Sequence, residues 1–222
     1  MCGRYEMVAG SEQLTARFDL AFAPAAMPPR SNIAPGQDNP VIVVQSPRRL
    51  VAMRWGLVPA WAPDPDAGIR PINARVETVA TKPAFRAAFR STRCLVPATG
   101  YYEWPPAVPG ARKQPVRLSL AEGHNGERPL FAFAGLYSSW CGPDGRILDT
   151  YTILTTSALP TLAALHERMP VILATDAEAA WLDPTFTDPA GLLALLNAGS
   201  PPALTVMPIA TLLPDLLPDI GC

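Results

Sequence analysis

The sequence predicts an α+β fold: a single domain over residues 1–222, with a curved, mostly antiparallel, barrel-like β-sheet core and peripheral helices. The chain is long enough to bury one substantial core, and 49% of its residues are apolar. Short runs rich in β-branched and aromatic residues, bounded by Pro, Gly or Asp, are frequent. Helical segments are fewer and do not alternate regularly with strands, which disfavours a doubly wound parallel sheet.

The predicted strands share this apolar, turn-bounded pattern. They are Val41 to Gln45, Leu50 to Trp55, Val116 to Leu120, Leu130 to Leu136 and Tyr151 to Thr155. Among 27 prolines spread along the chain, the stretch Pro105 to Pro115 is the best candidate for a long mobile loop, and a second turn is expected at Glu122 to Arg128.

Two longer helices are predicted from capping residues. Ser11 caps the first, which runs to about Phe22. Thr81 caps the second, in which Phe85 and Phe89 stack four residues apart. Shorter helical segments are expected at Leu162 to Leu165, Ala177 to Leu182 and Ala190 to Asn197.

Composition restricts the function classes. The net charge of −1 disfavours a basic DNA-coating protein, so any nucleic-acid binding requires a local patch. We find no apolar run long enough to span a membrane and no secretory signal, so we expect a cytoplasmic protein. Four cysteines without a C-x-x-C pair, together with two histidines, supply neither a zinc site nor a disulfide framework. No metal or other cofactor is expected.

Cysteine at position 2 can be read in two ways. Methionine aminopeptidases remove Met1 when the next side chain is small, which would leave an α-amine and a thiol together on Cys2. That amine has an ordinary pKa of about 7.7–8.0, against about 10.4 for lysine, and forms a Schiff base with an aldehyde. The thiol can then close a thiazolidine ring intramolecularly. Arg4 would place a cation beside this nucleophile; the alternative is a flexible terminus without a role.

Polar residues in apolar surroundings are further candidates. Alternation puts Asn73, Arg75 and Glu77 on one face of a strand or extended loop, where they line a pocket or face water. Glu103 lies among aromatic residues, which would raise its pKa by desolvation, unless it is a surface charge. His166 is a natural acid–base group or a structural histidine.

Tryptophans are core residues by default. Trp61 and Trp104 stand beside proline-rich loops, however, and could instead offer an edge on which nucleobases stack.

Six segments, in order, resemble the SOS response-associated peptidase (SRAP) family. They are MCGRY, SNIAPGQ, MRWGLVPAW, INARVET, KPAFRAAFRSTRCLVPATGYYEW and HERMPVIL, from residue 1 to about 173. The resemblance implies a protein that crosslinks its N-terminal cysteine to abasic sites in single-stranded DNA. The family name also records a presumed autoproteolytic step that exposes the cysteine.

The resemblance also implies residue roles. Cys2 is the nucleophile, Asn73 positions the Cys2 amine and the sugar, and Glu103 and His166 carry protons. The implied DNA contacts are Arg4, Arg75, Arg168 and Trp104, and Trp61 is added as a candidate because it stands beside a proline-rich loop. Three features depart from the family pattern: Glu167 replaces a common Asp, Pro105-Pro106 replaces a basic residue, and the segment at about 200–222 is divergent.

The resulting function prediction is a monomer that forms a thiazolidine crosslink with abasic single-stranded DNA in the cytoplasm, nucleoid-associated when bound. Without ring closure, the imine would allow β-elimination and hence lyase activity. One alternative is an N-terminal-nucleophile amidohydrolase or peptidase, in which the α-amine acts as base. Another is a binding module that has lost catalysis, which the presence of Cys2, Asn73, Glu103 and His166 disfavours.

Overall fold

Two β-sheets and five short helices make up the part of the chain that the computed structural model describes: residues 2–21, 28–44, 47–66, 68–106, 113–122, 128–198 and 202–209. The strands are β1 (Arg4–Met7), β2 (Arg30–Ile33), β3 (Asp38–Val43), β4 (Arg49–Trp55), β5 (Asn73–Arg75), β6 (Arg93–Ala98), β7 (Gly100–Glu103), β8 (Val116–Ser119), β9 (Phe131–Cys141), β10 (Ile147–Ser157), β11 (Arg168–Pro170) and β12 (Thr205–Pro208). The helices are α1 (Ser11–Phe18), α2 (Val76–Val79), α3 (Arg86–Ser91), α4 (Ala177–Leu182) and α5 (Pro189–Ala198).

The larger sheet closes on itself. Strand β10 pairs with β4, β4 with β3, β3 with β6, β6 with β9, and β9 again with β10. Most of these pairings are antiparallel, but β4 and β5 run parallel to β10. Closure removes free strand edges and bends the sheet into a barrel. The predicted α+β class with a curved, mostly antiparallel, barrel-like sheet is therefore confirmed.

The smaller sheet carries the start of the chain. Its strand order is β12-β8-β7-β1-β2, and every neighbouring pair is antiparallel. In the β1–β7 pair Arg4 lies opposite Tyr102 and Glu6 opposite Gly100. This register brings the amino-terminal residues beside the carboxyl end of β7.

Aromatic side chains fill the core. Tyr5 of β1 makes edge contacts with Trp55 and Phe133, at ring-centroid distances of 5.2 and 5.9 Å. Its hydroxyl lies 2.8 Å from that of Tyr151, so the polar end of this buried ring is satisfied. These contacts fix β1, and therefore Cys2, against the barrel.

A buried ion pair secures the smaller sheet. The Glu6 carboxylate accepts hydrogen bonds from Arg117 Nε and from the Tyr102 hydroxyl, both at 2.7 Å. Several donors around one buried carboxylate offset the cost of removing its charge from water. The network joins β1, β7 and β8, so it also supports the position of the chain start.

The strand predictions are confirmed in kind, with shifted ends: β3, β4, β8, β9 and β10 overlap the five predicted runs. Helix α4 has the predicted limits, and α5 is one residue longer at each end than predicted.

The first predicted helix was wrong at both ends. Gly10, and not Ser11, is the N-cap, and its N–H donates to Gln13 Oε1 at 3.1 Å. The helix stops at Phe18 because Asp19 adopts a left-handed conformation with φ of 51°.

The second predicted helix was wrong at its start. The Thr81 hydroxyl donates to the Thr78 carbonyl at 3.1 Å, so it does not cap the helix that begins at Arg86. The predicted Phe85–Phe89 spacing is kept: the Phe89 N–H donates to the Phe85 carbonyl, and both side chains are buried.

Two further predictions need correction. Residues 162–165 form turns instead of a helix. Glu77 does not share a strand face with Asn73 and Arg75, because the strand ends at Arg75 and α2 begins at Val76.

Most of the predicted loop at 105–115 and of the turn at 122–128 lies outside the described residues. In the divergent carboxyl-terminal segment, β12 pairs with β8, and residues 210–222 lie outside the described part. No helix among the described residues is long and apolar enough to cross a membrane.

Candidate active site

Cys2 is fully buried and lies two residues before the start of β1. Asn73, the first residue of β5, donates a hydrogen bond from Nδ2 to the Cys2 main-chain carbonyl oxygen at 2.9 Å. The other side-chain atom, Asn73 Oδ1, is buried and has no hydrogen-bond partner among the described residues. Asn73 therefore orients the main chain of Cys2 and keeps one acceptor for a ligand.

Glu103 ends β7 and is 5% exposed. Continuing the β1–β7 register by one residue places it opposite Gly3, the neighbour of Cys2. Burial raises the pKa of the Glu103 carboxyl to about 7, against the opposing effect of the positive charge of the amino terminus. A carboxyl group with a pKa near neutrality can both donate and accept a proton.

The Cys2 thiol is neutral at rest. Burial, followed by the negative charge of Glu103, raises the pKa of this thiol well above its ordinary value. A thiol in this state needs a base before it can attack. Glu103 is close enough to act on it electrostatically and has a suitable pKa.

His166 lies in the turn before β11. Its Nδ1 accepts a hydrogen bond from the Arg168 main-chain N–H at 2.9 Å. Burial, followed by the positive charge of the amino terminus, lowers the pKa of this imidazole. A neutral ring whose Nδ1 accepts a hydrogen bond must carry its proton on Nε2, which fixes the tautomer.

The Arg168 side chain is buried and hydrogen-bonded. Its guanidinium donates to both carboxylate oxygens of Glu77, at 2.6 and 2.8 Å, and to the Thr155 carbonyl at 2.6 Å. Glu77 was singled out in the sequence, but not as the partner of Arg168. The opposite charges were visible there, but the pairing across 91 positions was not.

The predicted DNA contacts differ in exposure. Arg75 is exposed, and Arg4 is half-buried with an Nε that has no hydrogen-bond partner among the described residues. Trp61 is 64% exposed, which is unusual for a side chain of this size. Trp104 is half-buried and, with His166, Lys113 and Glu167, lines a cavity of about 390 Å³.

The structure thus brings Cys2, Asn73 and Glu103 together, and places His166 on the turn that leads into β11. Trp61 stands in the loop after β4, and its contact with DNA stays a prediction. Lys113, which lines the cavity beside His166, was not picked out from the sequence. Within the described ranges, no cluster of three or more His, Cys, Asp or Glu side chains could hold a metal ion.

Comparison with known proteins gives a consistent assignment. The chain matches the family model described as SOS response associated peptidase (SRAP) over residues 1–215. The abasic site processing protein YoqW of Bacillus subtilis (strain 168) is 41% identical over 200 residues, covering 89% of this chain and 87% of that protein. The abasic site processing protein HMCES of Xenopus tropicalis is 34% identical over 183 residues, covering 70% of this chain and 54% of that protein.

Solved structures have the same fold. A protein from Bacteroides thetaiotaomicron superposes with a TM-score of 0.78 at 28% identity, covering 88% of this chain and 86% of its own. A phage-related protein from Bordetella bronchiseptica superposes with a TM-score of 0.74 at 28% identity, covering 95% of both chains.

Proposed function

The chain belongs to the SOS response-associated peptidase (SRAP) family, and from this membership we propose that it captures abasic sites in single-stranded DNA covalently through Cys2. The relatives named as abasic site processing proteins support the class of substrate. The observation that carries the proposal is the Asn73–Cys2 hydrogen bond, which holds the chain start beside Glu103. An arrangement built on the first residues of a chain is expected where the terminus itself reacts.

Removal of Met1 would make Cys2 a 1,2-aminothiol. The α-amine is then the first nucleophile, because an α-amine has a lower pKa than a lysine amine and is more often neutral near pH 7. The thiol is the second nucleophile, since its raised pKa keeps it protonated until a base removes the proton. This order gives an imine first and a ring afterwards.

The sugar must open before the amine can attack. The abasic deoxyribose is mostly a cyclic hemiacetal, in which the bond between C1′ and the ring oxygen breaks to give the aldehyde. The C1′ hydroxyl passes its proton to the Glu103 carboxylate, and the ring oxygen takes the Nε2 proton of His166. Glu103 then returns a proton to Nε2, so both groups regain their starting forms and no net charge is created. The Arg168 N–H at Nδ1 supports this role because it keeps the proton on Nε2.

Imine formation and ring closure complete the reaction. The amine adds to C1′ and one water leaves, which gives the imine. The sulfur forms a bond to C1′ while the thiol proton passes to the Glu103 carboxylate, and the former imine nitrogen takes up a proton. The product is a thiazolidine, and the net change is the loss of one water. If closure fails, the imine permits β-elimination and strand cleavage.

The proposed binding mode rests on three arginines and on the exposed Trp61. Arg4 and Arg75 would contact phosphates and Trp61 would stack on a base, and Arg168 is a further candidate phosphate contact. We expect a monomer on single-stranded DNA, with salt-sensitive affinity, in the cytoplasm and at the nucleoid when bound. Autoproteolytic exposure of Cys2, which the family name suggests, belongs to the same proposal.

The test separates the two nucleophiles of Cys2. Cys2→Ala keeps a small second residue, and hence a free α-amine after Met1 removal, but it lacks the thiol. With an abasic single-stranded oligonucleotide it should give no heat-stable crosslink, yet it should give an adduct when borohydride traps the imine. Cys141→Ala changes an exposed cysteine and should crosslink normally. A stable crosslink of normal yield with Cys2→Ala, or turnover of amide substrates in its place, contradicts the proposal.

A further inference from the structure

We propose that Glu77 is a positioning residue: by holding the Arg168 guanidinium, it keeps the turn that carries His166 in one geometry and the imidazole in one tautomer. The effect of Glu77 on the crosslinking rate rests on the proposed function. The effect on the His166 tautomer can be measured without DNA, so a failure of the proposed function and a failure of this inference can be told apart.

The Glu77–Arg168 pair has the geometry of a strong contact. Two parallel N–H···O bonds of 2.6 and 2.8 Å join the guanidinium to the carboxylate. The Arg168 side chain is only 9% exposed, whereas that of Glu77 is 49% exposed. Arg168 is therefore a nearly buried cation whose counter-charge comes from a residue near the surface. Removing that counter-charge leaves an uncompensated buried charge, which is strongly unfavourable.

The pair joins two strands that bear site residues. Strand β5 begins with Asn73 and pairs with β10 at Ile153–Thr155, whereas β11 begins with Arg168 and pairs with β10 at Thr155–Ser157. Glu77 follows β5 in the first turn of α2. The ion pair therefore spans the end of β10 and links the Asn73 side of the site to the His166 side.

Arg168 connects the ion pair with Glu77 to the imidazole of His166. Its side chain is held by Glu77 and by the Thr155 carbonyl, and its main-chain N–H donates to His166 Nδ1. Without Glu77 the guanidinium loses two of its three hydrogen bonds, and we expect the Arg168 main chain, at the start of β11, to lose part of its support. The imidazole would then exchange between tautomers, and only one of these has its proton on Nε2.

A different role for Glu77 would be to compete with DNA. Arginine has five N–H groups, and Arg168 uses three of them in the contacts with Glu77 and Thr155. If DNA phosphate displaced Glu77, removing the carboxylate would tighten DNA binding. If Glu77 is a positioning residue, removing its carboxylate should instead slow crosslinking and leave the affinity for DNA nearly unchanged.

The first measurement is the nitrogen NMR spectrum of the histidines in the DNA-free protein. The chain has only two, so His124 serves as the internal reference for His166. The native protein should show His166 protonated on Nε2, Glu77→Gln a partial mixture of tautomers, and Glu77→Ala a larger share of the second tautomer. An unchanged tautomer in both variants overturns the proposal.

The second measurement separates the crosslinking rate constant at saturating abasic DNA from the DNA dissociation constant. Glu77→Ala should lower the rate constant roughly tenfold, less than the hundredfold that a misplacement of about 1 Å can cause. Its dissociation constant should stay within about twofold of the native one. A loss confined to affinity, or a gain in affinity at an unchanged rate, overturns the proposal. If the native protein itself forms no crosslink, the proposed function fails while the tautomer result still stands.

Controls exclude a general loss of stability. Glu178→Gln weakens another two-bond carboxylate–arginine pair, that of Glu178 with Arg17. Because Glu178 is more buried than Glu77, this variant should be less stable than Glu77→Gln and yet leave His166 unchanged. Asp38→Asn, which removes an exposed partner of Arg54, is a milder control. A His166 change in both control variants would mean that lost stability, and not Glu77, determines the tautomer.

Discussion

Asn73 Nδ2 holds the main-chain carbonyl oxygen of Cys2 at 2.9 Å, across 71 positions of sequence. The contact is to the backbone and leaves the thiol untouched. It therefore sets where the terminal residue lies and which way its amine points, without altering the chemistry of the sulfur. The placement of Cys2 by Asn73 and the reactivity of its thiol can therefore be tested with separate substitutions.

Asn73→Asp keeps the size of the side chain but replaces the donor NH2 group by an oxygen. The variant should crosslink more slowly than the native protein, because a carboxylate cannot donate to the Cys2 carbonyl. Its free energy of unfolding should fall by about 1–3 kcal/mol, the usual effect of leaving a buried polar group unsatisfied. Single-turnover crosslinking and urea unfolding measure the two effects. A native rate for Asn73→Asp would show that the donated hydrogen bond is not required.

Glu103→Gln should change the pH dependence of crosslinking. If the carboxylate takes the thiol proton, the native rate rises with pH as the group ionises around its pKa of about 7. The glutamine variant cannot ionise, so its rate should be lower and should lack this rise. The same inflection near pH 7 in the variant would assign it to another group.

The raised pKa also predicts how stability depends on pH. Between the ordinary value of 4.5 and about 7, the folded protein holds a proton that the unfolded chain has released. The free energy of unfolding therefore falls as pH rises through this window, by up to about 3 kcal/mol. Glu103→Gln should remove this part of the pH dependence, which urea unfolding at several pH values measures.

His166→Ala should slow crosslinking by about a hundredfold or more, the range that a lost general acid causes. Added imidazole should restore part of the rate, because it can enter the space left by the side chain and donate a proton. Binding of intact single-stranded DNA should change little. A variant with a native rate would remove His166 from the mechanism.

Trp61→Ala should weaken binding to single-stranded DNA by about 1–3 kcal/mol, the usual contribution of one stacked base. The melting temperature should stay the same, since the ring is 64% exposed and supports little of the core. Ile147→Ala, which removes another exposed apolar side chain (67% exposed), is the matched control and should bind normally. Equal losses in both variants would point to a nonspecific effect of surface polarity.

Elements with a clear local pattern could be predicted from sequence, whereas pairings between distant segments could not. Strand β4 and helix α4 carry clear patterns of their own, and both were located. For strand β5, alternation indicated a strand or an extended loop at Asn73 and Arg75, but not its pairing with β10 at Ile153–Thr155, about 80 positions later. The pairing of β11 with the far end of β10 is likewise not visible in the local sequence. Predictions from local pattern also misplaced the start of α3, where a threonine hydroxyl donates to the preceding turn.

The sequence points to candidate residues of the site but not to the contacts between them. Cys2 stands out by position, and Glu103 by its aromatic neighbours, which the structure translates into burial and a raised pKa. The Glu77–Arg168 pair joins residues 91 positions apart, and only the folded barrel brings them together. The hydrogen bond that fixes the His166 tautomer spans only two positions, but the sequence does not show which ring nitrogen accepts it.

The most direct measurement is the mass and attachment point of the adduct. Purified native protein is incubated with an abasic single-stranded oligonucleotide, and the product is analysed by intact and fragment mass spectrometry. We expect a mass equal to that of the processed protein plus the oligonucleotide less one water, with the sugar attached at Cys2 and the adduct resistant to borohydride. An adduct on any other residue, or no adduct from a protein whose Met1 has been removed, would contradict it.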